Sequence, residues 1–318
     1  MSFGKSTWAD WVIDDEEEIF AILKKAYDSG LRTWDTANVY SAGESEILIG
    51  KFLKKYNIPR STVVILTKVF GFTNADPELP DSGPDDINRI NRHGLSRKHI
   101  FDSVAASVKR LGTYIDVLQI HRCDKSTPYA ETMEALHDVI KSGDVRYIGA
   151  SSMFAYQFAQ YQFAAERNGW TKFISMQNHY SAIYREEERE MIPYCKETGV
   201  GLIPWGPVAA GVLTRPHKDL AATARGKKEA DSPQRRFGVS QADKTTIDRV
   251  EELAKKHNTS MATVATAWAI AKGTVPIVGF SKPSRIDDAI AALHLKLTDE
   301  EISYIDEPYE PKIIIGHQ

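Results

Sequence analysis

The chain has 318 residues, 42% hydrophobic and 26% charged, with a formal net charge of -3. That composition is ordinary for a globular protein and fits one large α/β barrel or two smaller domains. It offers no basic footprint for nucleic acid or an anionic membrane surface, and no apolar run approaches the roughly 18 residues of a membrane span.

The start, Met1-Ser2-Phe3-Gly4-Lys5, has no apolar signal core, so the expected location is the cytosol. Cys123 and Cys195 lie far apart without metal-ligand spacing. They read as two packing thiols in a reducing compartment.

Residues 15–29 begin acidic and carry Ile19, Ile22, Leu23 and Ala26 on one face, which predicts an amphipathic helix closed by Gly30. A strand at 31–35, a helix at 44–56 and a strand at 63–68 follow. Ser96 is the expected N-cap of a helix over 97–111. Then come strand 115–121, helix 128–142, strand 145–150, helix 153–168, strand 173–178, helix 185–198 and strand 200–205. Helices 241–257 and 260–272, strand 275–279 and helix 283–293 complete the order. Short apolar strands alternating with helices predict a parallel sheet with helices outside it. Seven strands are expected, one short of a (β/α)8 barrel.

Two long irregular segments, 70–95 and 206–240, interrupt the alternation, and loops of that length usually serve function or are disordered. The second holds Arg225-Gly226-Lys227-Lys228 and Arg235-Arg236. This basic run is expected to be solvated, the alternative being a clasp on phosphate.

Asp35, Lys68, His121, Ser151 and Gln177 each stand where an expected strand ends, and Tyr40 follows shortly after Asp35. Parallel barrels place their chemistry at such ends. Singly, Asp35 reads equally well as a turn cap, Lys68 as a rim lysine and His121 as a satisfied core histidine. As a set they point to proton transfer to a carbonyl. His99, His137, His257 and His294 read as surface or packing residues, and His179 as a possible pocket residue. No histidine pair has metal spacing, so no metal site is expected.

The segments Trp34-Asp35-Thr36-Ala37-Asn38-Val39-Tyr40, Gly43-Glu44-Ser45-Glu46, Leu66-Thr67-Lys68 and Leu118-Gln119-Ile120-His121 recur in order with Arg146 to Ser152, Gln177-Asn178, Pro204-Trp205 and Pro276 to Gly279. In these the chain resembles the aldo-keto reductase superfamily over nearly its whole length. It is most similar to fungal reductases of the aryl-alcohol dehydrogenase and versiconal hemiacetal acetate reductase kind. The resemblance implies a single TIM-type (β/α)8 barrel domain over 1–318. Family members normally carry an N-terminal hairpin and a full first strand, so most of strand one is expected to be missing here. That predicts seven parallel strands plus an N-terminal stub, with reduced or partner-dependent solubility.

The resemblance also implies NADPH-dependent reduction of a small-molecule carbonyl, by a monomer or weak oligomer. Hydride addition leaves an alkoxide that needs a proton. A free phenol titrates near pH ~10 and donates poorly at neutrality, but a neighbouring ammonium favours the phenolate. Tyr40 would be the donor, with Lys68 beside it, Asp35 holding Lys68, and His121 orienting the substrate oxygen.

By the same resemblance Ser151 and Gln177 would hold the nicotinamide carboxamide, with Ser152 where the family usually has Asn. Trp205 would stack on the nicotinamide. Gly206 and Pro207 would border the cofactor, and Ala209, Gly211 and Leu213 would offer backbone N–H groups to its pyrophosphate. The family often has Ser at Gly206 and Arg near Ala210. No G-x-G-x-x-G motif is present. Instead Gly279, Ser281, Lys282 and Arg285 approach a helix start that would attract phosphate. Arg285 matches the contact to the 2′-phosphate, and Lys282 stands in for a basic residue replaced by Gly279. Trp8, Trp11 and Phe70 would line a pocket for an aryl or bulky apolar substrate. Two other expectations compete: a cofactor-binding sensor on the same fold, or an inactive truncated paralogue.

Overall fold

The computed structural model describes residues 1–73, 87–222 and 240–317. The basic run 225–236 lies outside the described residues. Two compact units are distinguished, Met1–Met176 with His317–Gln318, and Gln177–Gly316.

The first unit carries α1 (Glu16–Asp28), β1 (Thr33–Asp35), α2 (Glu44–Lys55), β2 (Val64–Val69), α3 (Arg97–Leu111), β3 (Ile115–Ile120), α4 (Tyr129–Lys141), β4 (Val145–Ser151) and α5 (Ala155–Asn168). β5 (Ser175–Gln177) begins in this unit with Ser175 and Met176, and its last residue, Gln177, is assigned to the second. The strands pair in parallel, with Asp35 opposite Leu66, Lys68 opposite Gln119 and Gln119 opposite Gly149. Gly149 is required there, because a Cβ would stand 2.5 Å from Ser175 Oγ.

Local chemistry explains the helix ends. Asp15 accepts the Glu18 N–H at 2.9 Å, three glutamates fill the first turn of α1, and Lys25 sits in its last. Ser29 is the C-cap, and Gly30 follows with φ +88°, one step beyond the expected cap. Ser96 caps α3 as expected by accepting from the His99 N–H. Phe52 of α2 is fully buried and meets Phe20 at 5.7 Å and Trp34 at 5.6 Å between ring centroids, which locks α1 and α2 to β1.

The second unit carries α6 (Met191–Thr198), β6 (Gly201–Leu202), α7 (Gln241–Lys256), α8 (Met261–Ala271), α9 (Ser284–His294) and α10 (Asp299–Asp306). Its core packs Ile247, Val250 and Leu253 with Val264, Trp268 and Leu213. Trp268 satisfies its indole N–H on Asp306 at 2.8 Å.

Three expectations need correction. Six strands, not seven, form among the described residues. At 275–279 only single contacts remain: Val275 N–H to the Leu202 carbonyl at 2.9 Å and Ile277 N–H to the Pro204 carbonyl at 2.8 Å. The one bridge there is an isolated parallel one between Trp205 and Ile277. The helix expected from 185 starts only at Met191, after a 3-10 turn at Glu186–Glu188. α10 was not foreseen, although Thr298 and Glu301 form a capping box that marks its start.

The N-terminal segment is locally ordered. Gly4 N–H donates to the Ile13 carbonyl at 3.0 Å and Ile13 N–H to the Ser2 carbonyl at 2.9 Å, closing residues 2–13 into a loop. Among the described residues no helix is long and apolar enough to cross a membrane, and no group of three His, Cys, Asp or Glu side chains could hold a metal ion. Both cysteines are buried thiols, and burial followed by the Glu187 charge pushes Cys195 up to about 12.

His99 sits buried on α3 beside Ser103. Burial, then the charge of His93, lowers it to about 4. The unfolded chain binds the proton near its ordinary value, so stability is full above pH ~6.5, falls as pH drops below that, and this contribution is lost once pH has passed through about 4. The expected loss is on the order of 2–3 kcal/mol by pH 4.5. Urea midpoints at pH 7.5 and 4.5 should show that slope in the native chain and a flatter one in His99→Gln; equal slopes would assign the loss elsewhere.

Candidate active site

Strand alternation decides which side chains meet in the first unit. Lys68 lies on the face of β2 opposite to Thr67, and Gln119 and His121 share one face of β3. The Lys68 side chain is 1% exposed. Its ammonium donates to Asp35 Oδ2 at 2.5 Å, to the Thr36 carbonyl at 2.9 Å and to Tyr40 Oη at 3.3 Å. Those three acceptors match its three N–H donors.

Burial works against this charge, but the Asp35 carboxylate and Tyr40 outweigh it and hold Lys68 above its ordinary value. Lys68 is therefore an ammonium at neutral pH. The Tyr40 ring meets His121 edge-on, with centroids 5.9 Å apart. Burial, then the Lys68 and Arg122 charges, push His121 well below its ordinary value. It is therefore a neutral imidazole, one ring nitrogen a donor and the other an acceptor.

Tyr40 reaches its place through an uncommon turn. Ser41, Ala42 and Gly43 all have positive φ, at 49°, 52° and 92°. Left-handed backbone at non-glycine residues persists only where neighbours enforce it. Here Gly4 of the N-terminal loop lies so close that a Cβ would stand 2.1 Å from Ser41 Oγ. Trp8 from the same loop packs near Tyr40 with ring centroids at 6.4 Å and is 41% exposed. Trp11 and Phe70 are half-buried. Ser151 and Ser152 are buried at the end of β4, their hydroxyls 3.5 Å apart, and Ser152 has φ +40°.

Gln119 escaped the sequence analysis. It is fully buried and donates its amide to Asp35 Oδ1 at 3.0 Å, so the carboxylate is held from both sides. A buried glutamine in an apolar strand, two residues before His121, was the available signal.

In the second unit Gln177 and Asn178 are buried at and just after the end of β5. His179 stacks between Trp205 at 4.1 Å and Tyr184 at 4.3 Å. One face of Trp205 is thus covered, and a nicotinamide stacked on it would use the other. Gly206 has φ +72°, and a Cβ there would meet His179 Cδ2 at 2.9 Å; Pro207 is buried.

Ala209, Gly211 and Leu213 lie in a 3-10 turn, Ala209–Thr214. Ala209 N–H donates to the Gly206 carbonyl, and Gly211 and Leu213 N–H to the Val208 carbonyl, at 2.8, 2.9 and 3.2 Å. These groups are committed inside the turn, so holding a pyrophosphate through them would require the turn to open.

Lys282 and Arg285 are exposed at the start of α9, without an ion pair or side-chain hydrogen bond among the described residues. Ser281 is half-buried and Gly279 exposed, and a Cβ at Gly279 would meet nothing within 4 Å. Two uncommitted cations at a helix start suit a phosphate group.

Comparison with known proteins identifies the family. The Aldo/keto reductase family model matches residues 1–310, and the chain belongs to that family. It is 56% identical over 99% of its length to a Schizosaccharomyces pombe protein provisionally named an aryl-alcohol dehydrogenase, covering 92% of that protein. It is 53% identical over 99% of its length to versiconal hemiacetal acetate reductase of Aspergillus parasiticus, covering 93% of it. It is 46% identical over its full length to the aldo-keto reductase AMT2 of Alternaria alternata, covering 88% of it. The chain is therefore an oxidoreductase of a family that generally uses NAD(P)H.

Removing one partner of a buried ion pair leaves the other charge uncompensated. Lys68→Met should cost about 3–5 kcal/mol in urea unfolding, and Asp35→Leu combined with Lys68→Met should regain much of it. An unchanged midpoint in the single variant would contradict the pairing.

Proposed function

We propose that this chain reduces aldehyde or ketone carbonyls, aryl or bulky and apolar, to alcohols with NADPH in the cytosol. The observation that carries this is the buried Lys68 ammonium, shared between Asp35 and the Tyr40 hydroxyl.

Bound NADPH would supply the hydride. The chain's part is to orient the carbonyl and deliver a proton. Neutral His121 would donate a hydrogen bond to the substrate oxygen, fixing it beside Tyr40. As negative charge grows on that oxygen, Tyr40 Oη gives up its proton. The adjoining ammonium stabilises the phenolate that remains. Asp35, held by Gln119, keeps Lys68 charged and in place. Trp8, Trp11 and Phe70 would offer apolar surface to the substrate, as expected from the aromatic rim in the sequence.

For the cofactor, the donor sets fit a phosphorylated nicotinamide dinucleotide. Ser151, Ser152 and Gln177 would bind the carboxamide, Trp205 would stack with its uncovered face, and Gly206 and Pro207 would border the ring. Gly279, Ser281, Lys282 and Arg285 would take the adenosine phosphate. The uncommitted guanidinium of Arg285 favours NADPH over NADH. The Asp-Tyr-Lys-His set favours an enzyme over a cofactor-binding sensor or an inactive paralogue.

NADPH titration followed by tryptophan fluorescence, with NADH as control, tests the cofactor. Arg285→Ala should weaken NADPH about 10–100-fold and leave NADH nearly unchanged. Gly279→Lys, placed where a side chain has room, should tighten NADPH. Tyr40→Phe should retain NADPH binding and lose about 10²–10⁴ in kcat on aryl aldehydes. Equal affinity for both cofactors, or an active Tyr40→Phe, would overturn the corresponding assignment.

A further inference from the structure

Lys68 and Asp35 occupy one side of their strands, and their neighbours in sequence point the other way, into the helix layer. Thr67, next to Lys68, is fully buried and donates its hydroxyl to Glu46 Oε1 at 2.5 Å. Thr36, next to Asp35, is fully buried and donates its hydroxyl to Ser45 Oγ at 2.8 Å. Ser45 and Glu46 are adjacent in the first turn of α2. Two consecutive residues of one helix therefore fasten both strands that carry the ion pair.

Glu46 is itself anchored. Its side chain is 0% exposed, and Arg110 of α3 donates Nε to Glu46 Oε2 at 2.6 Å. The pair meets because α2 and α3 approach closely at Gly50, where a Cβ would lie 2.7 Å from the Leu111 carbonyl oxygen and 2.8 Å from that of Arg110. A buried carboxylate with an ion-pair partner and a hydroxyl donor is a rigid point, because moving it would strand charge in the interior.

We infer that Ser45 and Glu46 are positioning residues that set the Lys68–Tyr40 hydrogen bond, an inference that rests on the carbonyl-reductase reading above. Thr36 links the outer contact to the inner one. Its hydroxyl is fixed by Ser45, while its carbonyl accepts one of the three Lys68 N–H donors. Thr67 fixes the backbone of β2 at the residue before Lys68. Tyr40 hangs from the same helix start through the left-handed turn Ser41-Ala42-Gly43. The donor and the ammonium are thus referred to a single fixed point, and small displacements of reacting groups are costly in rate.

The test uses the full chain with NADPH and an aryl aldehyde. Thr67→Val keeps the shape of the side chain and removes the donor to Glu46; Ser45→Ala removes the acceptor of Thr36. Each should lower kcat about 10-fold, change KM less than about 3-fold, leave NADPH affinity unaltered, and shift the pH profile of kcat. Thr67→Ser restores the hydroxyl and should return kcat to within about 2-fold of native. A purely structural role would lower Tm and leave the pH profile and kcat of the folded protein alone, and that result overturns the inference. If Thr67→Val does not fold, Ser45→Ala decides by the same readouts. An active native chain with a dead Tyr40→Phe and a native-like Thr67→Val would refute this inference alone. A native chain that reduces no carbonyl with NADPH would refute the function and the inference together.

Discussion

The ammonium of Lys68 is the fixed point of the first unit's site. A charge this deep in protein is costly unless every donor is matched. Asp35, the Thr36 carbonyl and Tyr40 Oη match all three. Much of the surrounding structure follows from that need. Gln119 holds the second oxygen of Asp35, the left-handed turn carries Tyr40 to the ammonium, and the N-terminal loop closes over that turn. The same charge, added to the effect of burial, keeps His121 neutral and so able to donate one hydrogen bond and accept another.

The proposed proton delivery is thereby linked to the helix layer behind the strands. β1 and β2 present Asp35 and Lys68 on one side and Thr36 and Thr67 on the other. The start of α2 grips the outer pair, and α3 grips α2 through Arg110. The helix-layer ion pair and the strand-end ion pair are thus joined through the hydroxyls of Thr36 and Thr67. The second unit is organised differently. Trp205 is stacked on His179, and the turn after it spends its N–H groups internally. Among the described residues, Lys282 and Arg285 at the start of α9 offer exposed side-chain charge to an anion.

Much of this was legible in the sequence. Alternating βα periodicity gave the parallel strands, and polar residues at strand ends gave Asp35, Lys68 and His121. Ser96 was recognisable as a cap because its side chain acts locally. The misses share a physical cause: they depend on partners distant in sequence or on backbone detail. Gln119 gains meaning only beside Asp35, 84 positions away, and Glu46 only beside Arg110, 64 positions away. The strand at 275–279 was overcounted because an apolar run does not show how few ladder bonds its distant partners, Leu202 and Pro204, will make with it. The turn Ala209–Thr214 could not be read as self-satisfied, since positive φ at two alanines has no sequence signature.

If Lys68 works through the proposed proton donor Tyr40, the losses from removing the two groups are not independent. A double-mutant cycle on kcat with NADPH and an aryl aldehyde tests it most directly. Rates of native, Tyr40→Phe, Lys68→Met and the double variant would be normalised to the fraction of protein that binds cofactor. Groups that act as a unit are strongly non-additive. The double variant should be no slower than the slower single variant. Losses that multiply would show Lys68 and Tyr40 working separately and would contradict it.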